Sequence, residues 1–206
     1  MFNRSVAAMS KLASAAPTSS AAAAPAPPPP PAYGAAAMVD LEPNFLWSGC
    51  EVLNAAKKDS LQNALKQGMR DQELMLVESD ADEQLLITIT FQSKVKLQSI
   101  SISGPGDGRA PKAVKLFANR SNLNFDDVET MNAEQELELT PEMLGERTEL
   151  KFVKFQNVER LTIFISANQG DEESTALSEL RLWGTSVATT DMSAFKRVAG
   201  EKGEGE

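Results

Sequence analysis

Apolar and polar residues alternate along several short stretches of this chain, and the densest run lies between residues 150 and 184. That segment reads as three strands. In the first, Phe152, Val153 and Phe155 sit among Lys151 and Lys154, with Phe152 breaking a strict period of two. In the second, Leu161, Ile163 and Ile165 share one parity against Thr162, Phe164 and Ser166. The third, 177–183, puts Leu180 and Leu182 on one face and Glu179, Arg181 and Trp183 on the other. A period of two marks a strand with one buried face. Asn157 begins the first turn, and Asn168-Gln169-Gly170 opens a longer acidic loop.

Upstream, residues 40–54 carry scattered apolar positions without a period and read as an irregular lead-in. Asp59 or Ser60 can cap a short helix through Lys66, with Leu61 and Leu65 one turn apart and Gly68 ending it. Strands are expected at 73–79 and 84–91, the second with Leu85, Ile87, Ile89 and Phe91 inward. Across 95–103 the phase changes. Val95 and Leu97 take one parity, Ile100 and Ile102 the other, and a bulge near Gln98-Ser99 returns all four to the core. Residues 104–108, Gly-Pro-Gly-Asp-Gly, form a loop. A strand at 113–119 turns Val114 and Leu116 inward, a short one carries Leu137 and Leu139, and Pro141 and Gly145 bracket a turn. Residues 191–198 suit one or two helical turns. About eight short strands with one or two short peripheral helices predict an all-β jelly-roll sandwich, because a βαβ fold needs long helices between its strands.

Composition sharpens this picture mainly by exclusion. The 206 residues carry a net charge of −9. Residues 1–37 hold Arg4 and Lys11 and no acid, so the rest of the chain sets 18 basic against 29 acidic residues, a net of −11. Such a domain repels a phosphate backbone, so nucleic-acid binding is not expected. There is no histidine, which removes Ser-His-Asp and Cys-His catalysis and His-ligated zinc together. The single cysteine, Cys50, forbids an internal disulfide or a CxxC pair and suits a reducing compartment. No apolar run approaches the ~20 residues of a membrane span. We therefore expect no enzyme, no cofactor, no metal and no membrane or nucleic-acid partner.

Three regions follow. Residues 1–39 form an Ala/Ser/Pro-rich tail in which 27–31 is an unbroken proline run. Phe2, Val6, Met9 and Leu12 share a helical face and Arg4 and Lys11 another, so a transit peptide is an alternative to a plain tail, with Met38 as an alternative start. Residues 40–198 make one domain, and 199–206 an acidic flexible tail.

Several segments resemble one family. They are Gly49-Cys50-Glu51 with Leu53-Asn54, then 78–87 (ESDADEQLLI), Gly104-Pro105 and Pro111-Lys112. Downstream they continue with 153–158 (VKFQNV), Ile163-Phe164, Asn168-Gln169-Gly170 with Glu172-Glu173, and 195–198 (FKRV). In this order they resemble the PITH domain, which occurs as the C-terminal half of thioredoxin-like protein 1 and as stand-alone proteins. The resemblance implies a galactose-binding-like jelly roll. It also implies a non-catalytic module that associates with the 26S proteasome or a related degradation assembly. The expected state is a monomer, and the expected location the cytoplasm, extending to the nucleus. An organelle is the alternative location if residues 1–37 act as a transit peptide. The thioredoxin domain is missing, so reductase activity does not carry over.

The candidate partner-binding residues fall in three loops: Asp80, Asp82 and Glu83; Gly104, Asp107 and Arg109; and Asn168, Gln169, Asp171, Glu172 and Glu173. Acids at strand ends suit contact with a basic partner. Neither acidic cluster has the ligand spacing of an EF-hand loop, and the glycine loop lacks the GK[ST] ending of a P-loop. Two alternatives stay open. Trp47, Trp183 and the loop acids can serve a glycan or metal in a ligand-binding jelly roll, and Cys50 can serve a redox adaptor. The expected role of Cys50 itself is that of a buried structural thiol, and of the tryptophans a core or loop anchor.

Overall fold

The computed structural model describes residues 38–66 and 76–187, and the account below concerns those. The expected strands at 84–91 and 95–103 are one strand, β4 in chain order (Leu85–Ser103). It bends near Gln92–Lys94, where three of its residues have no counterpart between its pairings with Arg160 and Val158. The halves on either side of the bend have different neighbours. The first pairs with β2 (Glu51–Leu53) and β8 (Val158–Asn168), the second with β7 (Thr148–Glu149) and β10 (Glu179–Ser186). Leu85, Ile87 and Ile89 from the first half and Val95, Leu97, Ile100 and Ile102 from the second belong to one buried cluster. One strand therefore contributes to both layers of an antiparallel sandwich, and the core lies in its fold.

The remaining order follows from edge pairing. β1 (Val39–Asp40) borders β10, while β5 (Pro111–Ala118) joins β8 to β6 (Gln135–Glu138). The ladder runs β1-β10-β4-β8-β5-β6, with β3 (Val77–Glu78) and β9 (Ala176–Leu177) forming a separate two-stranded piece. The bulge expected near Gln98-Ser99 is present. Trp183 faces Ser99 but Gly184 faces Leu97, so Gln98 is the extra residue, and the parity change is absorbed there. Gly184 lies so close to β4 that an added Cβ would sit 2.0 Å from the Lys96 carbonyl oxygen.

Five expectations need correction. Residues 152–154 are not a strand but a 3-10 turn, Phe152–Lys154. Two adjacent large apolar residues cannot both face the core in a period of two, and only Phe155 is buried, with Phe152 and Val153 left outside. The segment at 177–183 is split, because Ser178 donates its N–H to Ser103 and lets β9 leave the sheet that β10 joins. The lead-in at 40–54 is not wholly irregular, since its edges are β1 and β2, with 3-10 turns at Glu42–Asn44 and Trp47–Gly49 between them. Ten strands are found among the described residues, several only two residues long.

The fifth concerns helices. α1 (Ser60–Leu65) is present with Leu61 and Leu65 buried, but neither Asp59 nor Ser60 caps it. Asp59 makes no capping bond, and the Ser60 hydroxyl donates to the Lys57 carbonyl. α2 (Phe125–Thr130) was not expected at all. The Asn124 side chain accepts from the Asp127 N–H at 2.9 Å and Asp127 accepts from the Asn124 N–H at 3.2 Å, a capping box built with Asp. α2 covers the outer face of the sheet, where Val128 packs with Leu86, Phe117 and Phe164. This is why Phe164, of the parity opposite to Ile163, is also buried. Gly68, residues 73–75 of the expected strand and the expected helix at 191–198 lie outside the described residues.

Candidate functional site

Three loops meet where β4 and β5 begin and β8 ends. Residues 104–110 and 168–175 lie against each other: Gly170 donates to the Gly108 carbonyl at 2.8 Å, Gln169 to Ala110 at 2.9 Å and Ala176 to Arg109 at 2.8 Å. Gly108 takes φ +94°, a conformation open chiefly to glycine. The third loop, 79–84, is stitched to the second although 96 residues separate the partners. The Thr175 N–H donates to the Ser79 hydroxyl and the Ser79 N–H to the Thr175 carbonyl, both at 2.9 Å.

Two asparagines hold this arrangement. Asn168 is buried, and its Nδ2 donates to the carbonyls of Glu172 at 2.7 Å and Ser174 at 3.1 Å, while its Oδ1 accepts from the Glu172 N–H at 2.8 Å. Asn54, at φ 61°, donates to the Asp82 carboxylate at 2.6 Å and the Gln84 carbonyl at 2.7 Å and accepts from the Ala81 N–H at 3.0 Å. Gln169 Nε2 donates to the Pro111 and Leu139 carbonyls at 2.9 and 2.6 Å.

The expected candidates therefore divide in two. Asn168, Gln169 and Asp82 are used internally. Gly104 is a packing position, since a Cβ there would meet Ala110 at 2.7 Å. Arg109 is engaged on both sides, by Asp107 at 2.7 Å and Glu78 at 2.5 Å, and the Arg109 guanidinium hydrogen-bonded to Asp107 holds that carboxyl below the usual carboxylate range. What remains for a partner is Asp80, Glu83, Asp171, Glu172 and Glu173. Asp80 and the three acids 171–173 are exposed, and Glu83 with Asp171, Glu172 and Glu173 lines a cleft of about 280 Å³. Among the described residues no group of three or more acids or cysteines is placed to hold a metal. Sequence reasoning missed Asn54, Glu78 and Thr175, because nothing in their spacing announces a partner so far along the chain.

The other singled-out side chains lie elsewhere. Cys50 is half-buried, its thiol 3.4 Å from the Leu46 carbonyl, and burial pushes its pKa up. Trp47 meets Phe45 edge-on at 5.6 Å, and the Arg147 guanidinium stacks over Trp183 at 4.1 Å. Both rings are partly buried and already have neighbours.

A two-layer antiparallel jelly roll whose loops gather at one acidic end defines the class. Its fold matches a fucolectin from striped bass (Morone saxatilis) serum, 12% identical with a TM-score of 0.54, over 76% of this chain and 52% of that one. It also matches the family 32 carbohydrate-binding module from Clostridium perfringens NanJ in complex with galactose, 10% identical with a TM-score of 0.50, over 71% of this chain and 99% of that one. The PITH domain model matches residues 32–200, and the chain belongs to the PITH domain family. It is 40% identical over 141 residues to Thioredoxin-like protein 1 of Schizosaccharomyces pombe, covering 65% of this chain and 48% of that protein. It is 36% identical over 141 residues to PITH domain-containing protein 1 of Homo sapiens, covering 68% of this chain and 64% of that protein. The chain thus spans about half to two thirds of the length of these curated relatives.

Proposed function

We propose that the domain is a non-catalytic module that docks through its acidic end onto a basic surface of the 26S proteasome or a related degradation assembly. The observation that carries this is convergence. Glu83 and the run Asp171-Glu172-Glu173 lie far apart in sequence, yet line one cleft, on loops fixed by Asn54 and Asn168. Fixed carboxylates of one sign steer a basic partner and set its orientation, and they contribute more to association rate than to final affinity. Among the described residues the side chains of Asp80, Glu83, Asp171, Glu172 and Glu173 make no internal hydrogen bond or ion pair, in contrast to Glu78, Asp82 and Asp107.

The test is titration of the full chain onto purified 26S proteasome at low and at physiological salt. Binding that weakens steeply with salt, and that the triple charge reversal Glu83→Lys, Asp171→Lys, Glu172→Lys reduces at least about tenfold, supports the reading. Absence of binding at low salt, or binding indifferent to the triple variant, overturns it.

A further inference from the structure

The acidic end has a counterpart of opposite character at the start of β8. β8 runs eleven residues, ten steps of about 3.3 Å or roughly 33 Å, from Asn168 back to Val158. Just before Val158 stands the 3-10 turn Phe152–Lys154, in which Val153 is 82% exposed and Phe152 43%. No other large apolar side chain among the described residues exceeds 50%. The turn is not loose. Leu150 donates to Gln98 at 2.8 Å, Lys151 to the side chain of the buried Gln135 at 2.7 Å, and Lys154 back to Lys151 at 2.8 Å. Phe155 is fully buried and accepts from the Leu97 N–H at 2.9 Å. Core residues on both sides thus hold four exposed residues, Lys-Phe-Val-Lys, in one fixed shape.

The charge around this knob is positive. Lys151 and Lys154 flank it, both exposed. A cleft of about 400 Å³ at the same end is lined by Lys94, Arg120 and Arg160, with Glu159 among them. Lys94 pairs with Glu159 and Arg120 with Glu134, each at 3.3 Å, and no carboxylate among the described residues pairs with Arg160. In a domain whose residues 40–198 set 17 basic against 26 acidic residues, a net of −9, this end faces the other way.

We infer that Phe152 and Val153 form an anchor that enters an apolar pocket with an acidic rim on a partner protein, with Lys151 and Lys154 contacting that rim. The partner is taken to be the degradation assembly proposed above, so the inference rests on that reading and adds a second contact surface to it. A protein pocket fits better than a lipid surface. Two side chains offer far less apolar area than a single acyl chain, which by itself binds membranes only marginally. A rigid pair of exposed apolar side chains can, by contrast, be fully desolvated in a protein pocket, and a few such residues dominate the energy of an interface. Preorganisation by Gln135 and Phe155 removes the ordering cost that a flexible loop would carry into the complex.

The experiment uses the full chain against purified 26S proteasome, with Val153→Asp, Phe152→Ser and the pair Lys151→Glu, Lys154→Glu. Val153 is 82% exposed, so its replacement should leave folding intact, and circular dichroism and thermal unfolding check this first. The expected result is about tenfold or greater weakening by Val153→Asp and by Phe152→Ser, and a reduced salt dependence for the lysine pair. If wild type binds and Val153→Asp binds equally well, the anchor is refuted while the acidic-end reading stands. If wild type does not bind at all, both fall. Two further arms separate other occupants. Binding of wild type, but not Val153→Asp, to phosphatidylserine vesicles with proteasome binding unchanged assigns the knob to membrane and overturns the inference. Sedimentation showing a dimer that Val153→Asp dissociates assigns it to a second copy, with the same consequence.

Discussion

Asn168 and Glu172 bond to each other twice: the Asn168 Nδ2 donates to the Glu172 carbonyl at 2.7 Å and its Oδ1 accepts from the Glu172 N–H at 2.8 Å. One buried side chain thereby closes the acidic loop and aims Asp171, Glu172 and Glu173 outward. The residue that looked like a contact residue is the one that fixes the contact residues.

Replacing it tests that division of labour. Asn168→Ala leaves the Glu172 N–H and two carbonyls without these partners at a part-buried site, at a cost of about 1–3 kcal/mol. Urea unfolding should show a lowered midpoint, and amide exchange should quicken across 169–175 before it quickens elsewhere. A loss under about 0.5 kcal/mol, typical of surface positions, would mean that the loop is held by other means.

Gly184 and Gly106 make a matched pair. A Cβ at Gly184 would lie 2.0 Å from the Lys96 carbonyl oxygen, whereas one at Gly106 meets nothing within 4 Å. Gly184→Ala should therefore force β10 away from β4 and cost at least about 3 kcal/mol or abolish soluble expression, in keeping with severe backbone clashes. Gly106→Ala should stay within about 0.5 kcal/mol of wild type in the same unfolding assay.

α2 depends on its cap. Asn124→Ala removes the half of the box in which the side chain accepts from the Asp127 N–H, leaves the backbone N–H of residue 124 able to donate to Asp127, and should lower stability by about 1 kcal/mol. Because α2 covers Phe164 and Phe117, exchange of the amides at 125–130 is the specific readout, and unchanged protection there would refute the role of the box.

The Asp107–Arg109 pair predicts a pH dependence. Arg109 lowers the folded pKa of Asp107, so ionised Asp107 favours the native state. That contribution is fully present above the unfolded value, about 3.9 for an Asp, and is lost as pH falls through the lowered folded value. Asp107→Asn should therefore narrow the stability difference between neutral pH and pH values below that range, measured by thermal unfolding across a pH series. Equal acid sensitivity in both proteins would sink the assignment.

Burial raises the pKa of Cys50, so its thiol stays protonated at neutral pH. Alkylation by iodoacetamide should be slower than for an unstructured cysteine peptide, and its rate should rise with pH along a curve displaced to higher values. Faster reaction than the peptide would restore the redox-adaptor alternative.

The core was legible in the pattern along the chain. Leu161, Ile163 and Ile165 had to share a face because strand side chains alternate, and the opposite parities of Val95–Leu97 and Ile100–Ile102 required an extra residue, found at Gln98. The acids of the candidate end could be named, but not brought together. Local spacing says nothing about a bond between Ser79 and Thr175 or between Asn54 and Asp82.

By itself, the sequence determined the fold class and removed whole chemistries, because composition and two-residue periodicity are properties of the chain alone. The tertiary structure decided which polar groups remain free. Asn168, Gln169 and Arg109 have partners contributed by other segments, whereas Glu172 and Val153 face solvent. A side chain is available to a partner only when nothing within the fold has already bonded or covered it, and that depends on distances between residues far apart in sequence.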